Sequence, residues 1–128
     1  EIVGALARDP DKSIRTSIAR RKSLPEDLIL ALTNDPEPAI KEGIAKRTQL
    51  PQRVLESLAH DPDRTIRYLI AARAVLPQRL LLQLAQDLEW EIRLAIARRK
   101  DLPETIVRLL GKDPDRLIRT LIAALEQK

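Results

Sequence analysis

The chain has 128 residues, 44% of them hydrophobic, and its 23 basic and 19 acidic side chains leave a net charge of +4; that balance fits one folded domain and argues against wholesale disorder. Cysteine, methionine and phenylalanine are absent, with one tryptophan, one tyrosine and one histidine, which excludes disulfides, thiolate metal sites and a cysteine nucleophile. No apolar run approaches the ~20 residues of a membrane span, and the charge is far short of a polybasic nucleic-acid arm.

Leu-Pro recurs at Leu24-Pro25, Leu50-Pro51, Leu76-Pro77 and Leu102-Pro103, always in steps of 26 residues. The chain therefore reads as one helical-repeat domain, residues 1–128, built from repeats 1–23, 24–49, 50–75, 76–101 and 102–128. Repeat 1–23 has lost its first three positions, and no insertion breaks the register.

Each repeat reads as two short helices. The first begins at Leu-Pro, where proline suits the opening turn; in repeat 50–75 it is expected from about Pro51 to Ala59, burying Val54, Leu55 and Leu58. It is short enough for 3₁₀ geometry. The second begins at Asp-Pro, with the aspartate expected as N-cap and proline in the first turn. It carries two isoleucines one turn apart, such as Ile66 and Ile70, followed by an alanine, Ala71. The Ile columns are expected in the core, and the alanine column suits close approach of adjacent second helices. In repeat 24–49 the second helix has Pro38 in its first turn and Gly43 in its interior, and is expected to be the weak point.

A two-helix repeat this short cannot bury its apolar stripes alone and must stack on its neighbours. The fold class expected is all-α, a solenoid of about five 26-residue repeats. The string DPDRTIRYLIA, flanked by Leu-Pro and a leucine-bearing helix, resembles the leucine-rich repeat variant, and the resemblance covers the whole chain. It implies a right-handed superhelix of α-helices alternating with short, often 3₁₀, helices. Asp61 with Arg67 six positions later also resembles the second helix of HEAT repeats, whose period is longer. Both families are mostly interaction scaffolds. The cysteine-rich iron–sulfur segment of some variant proteins cannot be carried over to a chain without cysteine.

Every repeat pairs an aspartate (Asp9, Asp35, Asp61, Asp87, Asp113) with a base six residues on (Arg15, Lys41, Arg67, Arg93, Arg119). An arginine leaning back along the helix spans the ~9 Å to its own aspartate or reaches the next repeat's. The aspartates do not make a metal ladder, because stacked helices lie ~8–10 Å apart and one cation needs oxygens within ~2.3–2.6 Å. A second basic set closes the second helices: Arg20, Arg21, Lys22, Lys46, Arg47, Arg73, Arg98, Arg99 and Lys100. It reads either as cations matched to helix dipoles or as an anion or nucleic-acid stripe carried by Arg20, Arg21, Lys46, Arg47, Arg73 and Arg99.

Trp90 and Leu94, one turn apart, lie opposite the Ile columns and are expected to face away from the core; Tyr68 shares Leu94's column one repeat earlier. Arg64 and Arg98 are expected to rim them. This reads as an interface hot spot, or as Trp90 folding over Leu88, which stands where other repeats have the proline of Asp-Pro. His60 is alone, the hydroxyls have no base beside them, and the glycines form no phosphate loop. The expectation is a soluble, cytoplasmic, protein-binding or scaffolding module, not an enzyme, with no metal, cofactor or membrane; a nucleic-acid-binding module is the alternative. No signal peptide is visible, and an opening Glu1 in place of Met leaves an upstream segment open.

Overall fold

The computed structural model describes residues 2–126. Among them the chain forms ten α-helices and no strand: α1 (Ile2–Leu6), α2 (Lys12–Ala19), α3 (Glu26–Thr33), α4 (Pro38–Ala45), α5 (Gln52–Ala59), α6 (Arg64–Ala71), α7 (Gln78–Leu84), α8 (Trp90–Ala97), α9 (Glu104–Leu110) and α10 (Arg116–Glu126). Each repeat contributes two, as the register requires. The first helices are α-helical, so the 3₁₀ geometry admitted by their length is not adopted. Helices of eight residues are marginal in isolation, and packing against neighbours holds them.

The chain divides into two compact units, residues 1–70 and 71–128. In the first unit α1 packs on α2, α2 on α4, and α3 on both α4 and α5. In the second, α8 packs on α7, α9 and α10, and α9 on α10. Like elements thus stack on like: α2 on α4, α3 on α5, α8 on α10.

The isoleucine columns fill the core, except that Ile14 is half-buried. Ile40, Ile44, Ile66, Ile70, Ile92, Ile96, Ile118 and Ile122 are buried, together with Leu32, Leu58, Leu84 and Leu110. Ala19, Ala45, Ala71 and Ala97 are buried as well, whereas Ala123 is exposed. A methyl group built on Gly43 of α4 would stand 3.5 Å from the Cβ of Ala19 on α2, so these second helices do approach closely.

The helix starts differ from expectation by a short step. Proline of Leu-Pro is the N-cap and not the first helical residue: Pro51 has extended backbone, and its carbonyl accepts from Val54 and Leu55 at 3.0 and 3.1 Å. Likewise the aspartate of Asp-Pro does not cap the second helix. Its carboxylate, like that of Asp87 in Asp87-Leu88, accepts the N–H two residues on, at 2.8–2.9 Å, closing a local turn. The cap is the acid after the proline. Asp11 accepts from the Ser13 N–H, Asp63 from Thr65, and Asp115 from Leu117 and Ile118. Glu37 and Glu89 occupy the same place without a side-chain cap bond.

The recurring spacing of aspartate and base is explained by a link between repeats. Arg15 Nε donates to Asp35 Oδ2 at 2.8 Å, Lys41 Nζ to Asp61 at 2.7 Å, and Arg93 Nε to Asp113 at 2.8 Å, each across 20 residues. The arginines also donate to the backbone of their own repeat: Arg15 to Asp9 O, Arg67 to Asp61 O, Arg93 to Asp87 O and Arg119 to Asp113 O, at 2.7–2.9 Å. The Asp35, Asp61 and Asp113 side chains are only 5–8% exposed, so each charge depends on its partner for solvation. The hydrogen bond with Asp35 holds the Arg15 guanidinium above its ordinary pKa, against the opposing effect of desolvation.

Candidate functional site

Trp90 opens α8 and keeps 44% of its surface exposed; Leu88, two residues before it, is 95% exposed. A leucine so fully in water has no indole folded over it, so Trp90 is not a plug over Leu88. The two side chains instead put apolar surface into solvent within one stretch of the second unit. Leu94 departs from expectation, being only 7% exposed. Its helix, α8, packs on α7, α9 and α10. Arg98 is exposed, but it is the C-cap of α8, eight residues and roughly 12 Å along the helix axis from Trp90. Tyr68, 42% exposed, and Arg64, also exposed, lie on α6 in the first unit.

The basic set divides into two kinds. The Arg47 guanidinium donates to three carbonyls of the preceding repeat, Ala19 at 3.1 Å, Arg21 at 2.6 Å and Lys22 at 3.2 Å. Arg99 donates to the equivalent carbonyls, Ala71 at 3.0 Å, Arg73, and Ala74 at 3.0 Å, and pairs with Asp101 at 2.9 Å. No described residue has the positive φ of a glycine-type helix cap. The carbonyls at these helix ends are satisfied from the next repeat. Arg47 and Arg99 therefore act as helix caps in trans, which corrects their placement in a stripe open to anions. Arg73 in the same column is half-buried, and that burial lowers its pKa. Arg20 and Lys46, the C-caps of α2 and α4, are exposed, as is Arg21.

These exposed cations surround a groove that periodicity alone does not reveal. It lies in the first unit at the ends of α2 and α4, with a volume of about 730 Å³. Ala19, Leu24, Ile29 and Ala39 supply apolar lining; Arg20, Arg21, Lys22 and Lys46 supply charge beside the engaged Arg47; Glu42 is an acidic group in the wall. Gly43 also lines it, where a side chain would take up space. The sequence signal was the run Arg20, Arg21, Lys22 facing Lys46 and Arg47 one period later.

His60 Nδ1 donates to Glu56 O at 2.8 Å at the end of α5. Among the described residues no three His, Asp or Glu side chains are arranged to hold a metal ion, and no helix is long and apolar enough to cross a membrane. No protein-family model, curated protein or solved structure matches the chain. Fold and register define the class, an all-helical repeat protein.

Proposed function

We propose that the chain is a protein-binding, scaffolding repeat module to which no reaction is assigned. The observation that carries this reading is the paired exposure of Leu88 and Trp90 in repeat 76–101. That repeat alone replaces the proline of Asp-Pro, by Leu88, and puts an aromatic where other repeats have Lys12, Pro38, Arg64 and Arg116. Exposed tryptophan with apolar surface beside it is the usual chemistry of a protein contact. The reading includes kinship with leucine-rich repeat variant proteins, supported by the Leu-Pro and Asp-Pro steps in one register, and a cytoplasmic setting. Engagement of Arg47 and Arg99 with backbone carbonyls weighs against the nucleic-acid alternative, as does the lack of aromatic interleaving.

The test is retention of partners from native extract, with and without nuclease, by the wild type and by Trp90→Ala. Retained protein should survive nuclease, and Trp90→Ala should lose about 2 kcal/mol or more of affinity with an unchanged melting temperature. Retention that requires nucleic acid, or that ignores the substitution, would refute the reading.

A further inference from the structure

We infer that the groove at the ends of α2 and α4 binds a short acidic segment of a partner protein, one that carries aliphatic side chains between its carboxylates. The inference rests on the protein-binding reading and adds a second surface, in the first unit, with its own ligand chemistry.

Charge comes first. Arg20, Arg21, Lys22 and Lys46 are exposed cations in the lining. Against them stand Glu42 and the partial negative ends of two helices, which sum to roughly one further charge. Arg47 already satisfies the carbonyls at the end of α2. The field inside the groove is therefore positive, and it draws anions. Apolar surface comes second. Leu24, Ile29 and Ala39 line the same volume, and a free phosphate or a polynucleotide backbone would leave them uncovered. Aliphatic side chains spaced between carboxylates cover both kinds of surface at once. The size fits as well, since about 730 Å³ lies within the range of pockets that enclose small ligands. There is no aromatic side chain in the lining on which a base could stack.

The experiment is fluorescence anisotropy on the full chain, with a labelled peptide of alternating glutamate and leucine as the probe. Peptides with glutamine for glutamate, or serine for leucine, serve as controls, and a thymidine oligonucleotide is the nucleic-acid arm. The glutamate–leucine peptide should bind most tightly. Arg21→Glu with Lys46→Glu should weaken it by roughly tenfold or more, and Arg21→Gln with Lys46→Gln by less. Neither position donates a side-chain bond to the frame, and the neutral pair remains informative where charge reversal disturbs folding. Trp90→Ala should leave peptide affinity unchanged. Equal binding of the glutamine or serine peptide, indifference to both double variants, or tighter binding of the oligonucleotide would overturn the assignment. Failure here together with a Trp90-dependent protein partner would remove the groove and leave the module reading standing. An oligonucleotide that wins the groove, with no Trp90-dependent protein partner, would remove both.

Discussion

Replacing Arg47 tests whether a helix in one repeat is finished by a side chain of the next. The guanidinium makes one partly buried bond, to Ala19 O, and two exposed ones, to Arg21 O and Lys22 O. A partly buried bond to a charged donor contributes about 1.5 kcal/mol, and an exposed one, which water replaces, about 0.5 kcal/mol. Arg47→Ala should therefore cost about 2.5 kcal/mol. Arg47→Lys keeps the cation near the helix end, worth about 0.5 kcal/mol, and a single bond, but a lysine cannot present a planar fork to three carbonyls. It should fall midway between the two. Urea denaturation followed by far-UV circular dichroism gives the stabilities, and amide exchange at residues 19–23 reports the local end of α2. An Arg47→Lys chain as stable as the wild type would refute the geometric argument. An Arg47→Ala cost below about 0.5 kcal/mol would refute the cap itself.

Gly43→Ala should stabilise the chain by about 0.5–1 kcal/mol, because the new methyl meets Ala19 at an ordinary 3.5 Å while the unfolded chain loses freedom; thermal unfolding checks it. Before that substitution, amides across residues 36–47 should exchange faster than those across 62–73. The hydrogen bond from Arg99 holds the Asp101 carboxyl below its usual range. Its folded pKa is lower than its unfolded one, so the pair's contribution is present above pH about 4 and is lost as pH falls through the folded value. Asp101→Asn should remove that part of the acid dependence, and a denaturation series between neutral and acid pH measures it.

Much of the fold is legible because a fixed period repeats one piece of physics. Ile66 and Ile70 lie one turn apart on a helix and are buried together. The spacing of aspartate and base marks an ionic ladder but leaves open whether a base reaches its own aspartate or the next repeat's; Lys41 reaches Asp61, the next repeat's. What a period cannot supply is the neighbour. Leu94 lies opposite the Ile stripe of its own helix, yet it is buried. Arg47 looks like any cation at a helix end until the carbonyls of Ala19, Arg21 and Lys22 are brought beneath it. The aspartate of Asp-Pro differs from the expected cap for another reason. Turn and cap both need a carboxylate accepting a nearby N–H, and sequence does not say which N–H; in the structure Asp61 takes that of Asp63, and Asp63 takes that of Thr65. The groove depends on the ends of two helices at once, so it lay beyond any single-helix reading.

The ionic links within each unit also have a mechanical consequence. Arg15 to Asp35, Lys41 to Asp61 and Arg93 to Asp113 are clasps of one design, each joining a repeat to the next. Under a stretching force, similar clasps within a unit should share the resistance. Load passes from clasp to clasp, and yielding one 26-residue repeat releases roughly 90 Å of extended chain. A unit built this way should give ground in small, similar increments, one clasp at a time.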